Sequence, residues 1–461
     1  MTRVLLICND AIGENMAGPG IRYWEFARTL GQYVDVTMSV PPFVPAEQLP
    51  PMDEFPARIR RCDRRRDLIR LVDDCDVVVT LGALLLRYPF LGQLEKPLVV
   101  DLYDPFLLED LQRQAGAELS PRLDSHEGYL KALRDQMRAG DFFLCADEKQ
   151  RDYWLGALSV AGRVNPYTYG DDAGLRRLID VVPFGLPATP PEHTTTVLKG
   201  AYEGIEPDDK VIIWGGGIWD WMDAPTLIRA MSLILDQRTD VKLFFMGVSP
   251  PDGTDVGATA VERTLALSQE LGLYQRYVMF NDWVPYQERQ NYLLEADVGV
   301  SLHLDHVETR FSFRTRLLDY VWAGLPVVST AGDVLSERLA SAGLARLVSA
   351  GDVQGVADSI LSVLSKPALR VERAPAFCSM AARYHWDVVL RPLIAFCMDP
   401  YMAPDRSYLR ESTISTYGHA SFWQLGGKAW RTLRRDGLSV LMRRAGQYLR
   451  WRMDGLGLFR G

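Results

Sequence analysis

Short apolar runs alternate with helix-length amphipathic stretches along nearly the whole chain. Val4–Cys8, Val34–Met38, Val77–Leu81, Leu98–Asp101, Phe142–Cys145 and Ile179–Val182 read as strands. Apolar residues recur at helical spacing between several of them, as at Ile21, Trp24, Ala27 and Leu30. Strands apolar on both faces are covered on both faces, and helical crossovers make them parallel. The series then restarts with Val211–Trp214, Val241–Met246, Tyr277–Phe280, Val298–Leu302 and Pro326–Ser329. The pattern predicts two doubly wound α/β units. Pro183 to Pro207, with Pro183-Phe-Gly-Leu-Pro187, Pro190-Pro191 and a Thr-rich stretch, is too proline-dense for a helix or strand and marks the boundary. Ligands of such sheets bind outside the carboxyl ends of the strands, so two facing units place them in the cleft between.

Composition narrows the class. A chain of 461 residues, 48% hydrophobic and 24% charged, makes two or three globular domains and excludes disorder, collagen and a coiled-coil rod. Six Cys with no CxxC pair exclude a disulfide scaffold and a zinc ribbon. Cys8, Cys75 and Cys145 lie in strand-like runs, which suits reduced packing. The first ten residues lack the apolar stretch of a signal peptide, ~7–15 residues. No run reaches the ~18 apolar residues of a spanning helix. A cytoplasmic protein is expected, at most peripheral on the inner face of the cell membrane. The net charge of −8 is uneven: residues 401–461 hold 11 Lys and Arg against 4 Asp and Glu. An acidic body with a basic tail is not the footprint of a nucleic-acid binder.

Three stretches carry candidate chemistry. Gly18-Pro-Gly20 follows the first strand and opens a helix, which fits a tight turn or an anion contact. The dinucleotide fingerprint fails, because Tyr23 stands where a third Gly belongs. Gly215-Gly216-Gly217 follows Val211–Trp214 and fits phosphate or sugar contact, or a plain turn; Asp220 again breaks the fingerprint. The third runs from His303 to Val328. Ser312 is placed to cap a helix to about Ala323, with free N–H groups at Phe313, Arg314 and Thr315 and cations at Arg310, Arg314 and Arg316. Helix dipole, N–H groups and guanidinium together make a diphosphate site without a metal. Asp319, about two turns on, is placed to accept from vicinal hydroxyls. His303, Asp305, His306 and Glu308 cluster but lack a further ligand, and Asp74-Cys-Asp76 reads as a turn, so no metal site is expected.

The carboxyl half resembles the retaining GT-B glycosyltransferases, specifically the family 4 group that uses nucleotide sugars. Ala323-Gly-Leu-Pro-Val-Val328, Pro183-Phe-Gly-Leu186 and Ala296-Asp297-Val298 carry the resemblance. It implies two Rossmann-like domains facing across a cleft: an acceptor domain over 1–185 and a donor domain over 186–385. A crossover helix over 386–400 and a basic amphipathic tail over 401–461 complete the expected organisation. It also implies transfer of a sugar from a nucleoside diphosphate to an acceptor hydroxyl with retention, with no cofactor beyond the nucleotide sugar. Of the family's two acidic residues separated by seven, Asp319 matches the second and would hold the ribose. Phe311 stands at the first, and Glu308 is the candidate replacement. The family's Arg and Lys after the first strand of the second domain are absent from Gly215–Asp223. Gly18, Gly20, Gly216, Gly217, Arg310, Ser312, Phe313, Arg314 and Arg316 are the expected diphosphate contacts. Asp101 and Asp104, after a first-domain strand, are the candidate contacts to acceptor or donor sugar, and Asn281–Pro285 is the expected base site. Two alternatives stay open: a sugar-nucleotide epimerase of the same fold and a non-catalytic sugar-nucleotide or glycan-binding subunit.

The tail adds a partner. Leu438, Leu441, Met442, Ala445 and Leu449 follow helical spacing, flanked by Arg443, Arg444, Arg450 and Arg452, with Trp430, Tyr448 and Trp451 nearby. A basic amphipathic helix fits either an anionic membrane surface, met through residues 425–452, or the protein's own acidic body. A membrane anchor implies a lipid-linked acceptor; otherwise a glycan acceptor is expected.

Overall fold

The computed structural model describes residues 1–45, 49, 55–62, 64–82, 84–251, 253 and 257–411, and in the tail 429–430, 432–434, 438, 440–443 and 445–446. The first unit contains β1 (Arg3–Ile7), β2 (Asp35–Val40), β3 (Arg58–Arg61), β4 (Val77–Leu81), β5 (Leu98–Asp101), β6 (Phe142–Cys145) and β7 (Ile179–Val181). The second contains β8 (Lys210–Trp214), β9 (Val241–Phe245), β10 (Val278–Phe280), β11 (Val298–Ser301), β12 (Val327–Thr330) and β13 (Ala345–Val348). The sheets run β3-β2-β1-β4-β5-β6-β7 and β10-β9-β8-β11-β12-β13. Every pairing is parallel, for example Val4 with Val36 and Val77, and Ile212 with Leu243 and Val298. In both sheets the order reverses beside the first strand, which is the switch point where ligands bind.

The central strands are apolar because helices cover both faces. Val4, Leu5, Leu6, Val78, Val99, Ile212, Ile213, Phe244 and Val300 are buried, each stabilising the fold by about 1.5–3 kcal/mol. The two edge strands the apolar pattern does not mark are β3, whose Arg58-Ile-Arg-Arg61 buries only Ile59, and β13, where only Val348 is buried.

The chain passes between the units twice. Residues 182–209 lead into the second unit, and Leu186 bridges to His385 on the way back. Gly185 lies against the Trp386 indole, which also meets Phe184 and Phe26. Helices Trp386–Val389 and Arg391–Met398 then return to the first sheet, where Phe396 stacks on Phe142 at 4.9 Å. Residues 401–411, assigned to the tail by the sequence reading, pack on the first unit. Arg163 pairs with Asp405 at 2.8 Å, both fully buried, and Arg406 pairs with Asp141. The described tail residues are helical, with Trp430, Leu438 and Met442 exposed and Arg434 over the Trp430 ring. Leu449, Arg444, Arg450, Arg452, Tyr448 and Trp451 lie outside the described residues. Among the described residues no helix is long and apolar enough to cross a membrane.

Candidate active site

The site lies at the carboxyl ends of β8, β11 and β12, facing β5 of the first unit. Tyr320 sets its floor. Its hydroxyl accepts from the Gly215 N–H at 2.8 Å and points its single proton toward the Val300 carbonyl at 2.9 Å, with the Ile213 carbonyl at 3.2 Å beside it. A Cβ at Gly299 would sit 2.7 Å from the Tyr320 ring, so glycine there lets the helix Arg316–Trp322 approach the sheet. Gly216, at φ +73 with nothing within 4 Å of a built Cβ, turns its backbone into open space. Gly217 lies under Trp219 instead, and its carbonyl accepts from Trp214 and Arg316.

The segment after β11 departs from the expected geometry in one respect. The helix begins at Arg316, not after Ser312. Val307–Phe311 form a 3₁₀ turn, Ser312 follows in extended conformation, and its hydroxyl donates to the Thr309 carbonyl rather than to a helix N–H. The anchoring of buried Ser312 and Phe313 holds the backbone extended before the helix can start. The expected free amides persist: among the described residues the N–H groups of Phe313, Arg314, Thr315 and Arg316 meet no acceptor.

Charged side chains surround these amides. Arg316 is buried, lies over the Trp214 ring at 4.6 Å, and bonds only neutral atoms; no carboxylate among the described residues pairs with it. Burial pushes its guanidinium down to about 10, with Tyr320 opposing and Arg314 adding to the shift. Arg314 donates to Glu308 at 2.6 Å, both buried. Arg310 is exposed on the 3₁₀ turn. His303 is fully buried, and its imidazole is held neutral by burial, then by Arg314 and Arg316. Glu308 Oε1, Arg314 Nε, Arg316 Nη1, His303 Nδ1 and Asp333 Oδ2 are all buried without a hydrogen-bond partner. Native interiors seldom leave such atoms unpaired.

The remaining sequence candidates divide. Asp101 is fully buried, with both carboxylate oxygens on Arg22 at 2.7 and 2.9 Å, and Arg22 also donates to the carbonyls of Val182 and Pro183. This corrects its reading as a substrate contact: the pair fastens β5 to the interdomain segment. Gly20 is likewise corrected, because a Cβ there would lie 2.3 Å from the Ala11 carbonyl oxygen; the glycine serves the chain's own turn. Gly18 opens its helix beside the Tyr103 hydroxyl. Asp319 is half-buried and anchored by Arg289 at 3.1 Å, which is itself sandwiched between Tyr286 and Trp322. In the expected base region, Trp283 covers Gly247 and donates to the Met16 carbonyl, and Asn281 donates to the Met246 carbonyl. Asp104 is half-buried at the end of β5. Burial chiefly pushes its carboxyl up to about 7; Tyr103 opposes the shift, and Asp101 and Glu308 add to it.

Sequence reasoning missed Glu109 and Gln150. Glu109 lies in the first turn of the helix Phe106–Arg113; burial, then Asp104 and Glu308, push its carboxyl well up. An acidic residue four positions after Pro105 was the available signal. Gln150 donates to the carbonyls of Tyr103 and Phe311, tying the units together at 2.7 Å on each side. Among the described residues no group of three or more His, Cys, Asp or Glu is arranged to hold a metal ion.

Comparison with known proteins bears on the fold and on the second unit. Residues 209–366 match the family described as Glycosyl transferases group 1. Sucrose-phosphate synthase from Thermosynechococcus elongatus superposes with a TM-score of 0.61 at 16% identity, over 84% of this chain and 96% of that one. Anabaena HepE in complex with UDP and glucose gives 0.62 at 15% identity, over 87% and 100%. WaaG, a glycosyltransferase involved in lipopolysaccharide biosynthesis, gives 0.60 at 15% identity, over 86% and 100%. No curated protein matches the chain. The fold is that of the GT-B glycosyltransferases, and the matched segment contains the second-unit residues described above, from the glycine turn at Gly215 to Asp333.

Proposed function

We propose that the protein is a retaining, metal-independent glycosyltransferase that moves a sugar from a nucleoside-diphosphate sugar to an acceptor hydroxyl. The observation that carries this reading is the buried, carboxylate-free guanidinium of Arg316 beside four unbonded amides, Phe313 to Arg316. A cation held in this way lacks an anion, and a diphosphate supplies one. In this reading Gly216 and Arg310 add contacts from the glycine turn and the 3₁₀ turn.

In the reaction the bond between the anomeric carbon and the diphosphate oxygen breaks, and the acceptor oxygen bonds the same carbon on the same face. Negative charge grows on the leaving diphosphate, where the amides and guanidinium are already oriented; losing one such donor costs about 3 kcal/mol of transition-state stabilisation. A diphosphate oxygen takes the acceptor proton. Glu308 Oε1 accepts from sugar hydroxyls, and the free oxygen of Asp319 accepts from the ribose. Asp104 contacts the sugar from the first unit.

HepE carries UDP and glucose in its structure, which favours a nucleotide-sugar donor here. The basic tail favours work at an anionic membrane surface on a lipid-linked or glycan acceptor, in polysaccharide or glycolipid assembly. The testing experiment is titration with UDP, GDP, ADP, CDP and TDP, followed by incubation of the matching sugar nucleotides without divalent ions. Slow donor hydrolysis releasing sugar of unchanged anomeric configuration supports the reading. Turnover abolished by chelator, or an inverted anomer, overturns it.

A further inference from the structure

One face of the helix Glu148–Val160 holds both units at once. Gln150, Tyr153 and Trp154 lie at i, i+3 and i+4 and so share that face. The Trp154 indole donates to the Leu102 carbonyl at 2.9 Å. Gln150 Nε2 donates to the next carbonyl, that of Tyr103, and across the units to the carbonyl of Phe311, at 2.7 Å each. The Tyr153 and Phe311 rings meet with centroids 4.8 Å apart. The segment leading to Asp104 and the 3₁₀ turn bearing Glu308 and Arg310 are therefore fastened to the same helix.

The Gln150 amide is committed in full. It is fully buried, and its Oε1 accepts from the Ala146 N–H at 2.8 Å, which turns Nε2 toward the two carbonyls. A primary amide has two N–H donors, and each finds one acceptor here. A methionine of similar length would leave both carbonyls without a partner. An ionised glutamate would keep the Ala146 bond but has no proton to donate to either carbonyl.

We infer that Gln150 is a positioning residue of the transfer reaction, setting through its two donated bonds the separation between the Asp104 segment of the first unit and the Glu308 turn of the second. The inference rests on the glycosyl-transfer reading for the reaction itself; the coupling follows from the two bonds. A sugar held from both units then meets groups whose spacing is fixed in advance, and a misplacement of about 1 Å costs ~10²-fold in rate. The proposed diphosphate contacts from Phe313 to Arg316 all belong to the second unit, so nucleotide binding should not depend on the amide.

The test compares Gln150→Met and Gln150→Glu with the parent, each first checked for a native melting transition. The probe is the sugar nucleotide matching whichever of UDP, GDP, ADP, CDP and TDP binds most tightly. In Gln150→Met the kcat for donor hydrolysis is expected to fall ~10²-fold while nucleoside-diphosphate affinity stays within about twofold. In Gln150→Glu the carboxyl regains one donor when protonated, so its rate relative to the parent should rise about tenfold from about pH 8 to about pH 6. Asp147 on the same helix, Tyr103 and Asp104 after β5, Tyr153, and Glu308 and Arg310 on the 3₁₀ turn are common to variant and parent, so their titration cancels in that ratio. Hydrogen exchange reads the coupling without turnover: the amides of 307–313 should exchange about tenfold faster in the variants, with those of the helix Ala224–Leu235 unchanged. Exchange that matches the parent overturns the inference, as does a parental rate in both variants or a Gln150→Glu ratio that is flat with pH. A parent that binds no nucleoside diphosphate removes the transferase reading and the reaction role with it. A parent that turns over beside variants that do so equally well removes this inference alone.

Discussion

Arg316 donates through Nη2 to the carbonyl oxygen of Gly217 at 2.8 Å, so a guanidinium lies beneath the glycine turn with its Nη1 unused. Replacing it with methionine keeps the stem's contact with Trp214 and removes the cation. Arg316→Met is expected to leave the unliganded melting temperature unchanged or higher, since a buried unpaired charge is lost. Nucleoside-diphosphate affinity should fall ~10²-fold or more. Calorimetry on the variant checks both; unaltered affinity would remove Arg316 from the donor site.

Arg314 and Glu308 behave differently. Arg314→Ala strands the Glu308 carboxylate, and breaking a buried pair from one side costs ~3–5 kcal/mol. Glu308→Gln keeps the shape and a bonding oxygen, so its stability loss should be smaller while turnover falls. Urea unfolding and initial rates on the two variants separate these effects.

Asp104 gives a pH signature. Its folded pKa is about 7, above the ordinary 3.8, so burial favours the protonated form. From about pH 4 the unfolded carboxyl ionises while the folded one stays protonated, and native stability falls as pH rises. The loss is complete above about pH 7, where both forms are ionised. Asp104→Asn should therefore match the parent near pH 4 and gain stability over it up to pH 7, with a level difference beyond. Urea midpoints across that range measure it, and a difference that shrinks with rising pH contradicts the assignment.

Two glycines separate packing from ligand contact. Gly20→Ala drives a methyl to 2.3 Å from the Ala11 carbonyl and should destabilise by about 1–3 kcal/mol. Gly216→Ala meets no atom but holds φ +73, costing roughly 1 kcal/mol. Thermal melts should rank them in that order, with the larger effect on nucleotide binding at Gly216.

Asp405→Ala leaves Arg163 buried without its partner and also removes an acceptor from Asn165. A loss of ~3–5 kcal/mol is expected in denaturant unfolding. A near-neutral result would mean that residues 401–411 are dispensable to the first unit.

The sheet cores were legible because buried parallel strands must be apolar on both faces. β3 and β13 were not: at a sheet edge, Arg58-Ile-Arg-Arg61 needs to bury only one side chain, so no apolar run marks it. The polar segment after β11 stood out in its composition, and the amides of Phe313, Arg314 and Thr315, expected to be free, meet no acceptor among the described residues. The helix start was not, because a serine hydroxyl can donate to a carbonyl of the preceding turn, as Ser312 does to Thr309, as readily as it accepts from a helix N–H as a cap. Asp101 looked like a surface ligand because nothing local in the sequence links it to Arg22, 79 positions away. Gln150 escaped notice for the same reason: its partners, the carbonyls of Tyr103 and Phe311, are brought to it only by the tertiary fold.

The double passage of the chain beside the Leu186–His385 bridge has a mechanical consequence. Two covalent tethers lying side by side let one lobe swivel over the other about the line they define. They resist sliding and twisting. Any parting of the lobes would then turn about that line, and it would have to break the Gln150–Phe311, Tyr286–Glu25 and Trp283–Met16 bonds together.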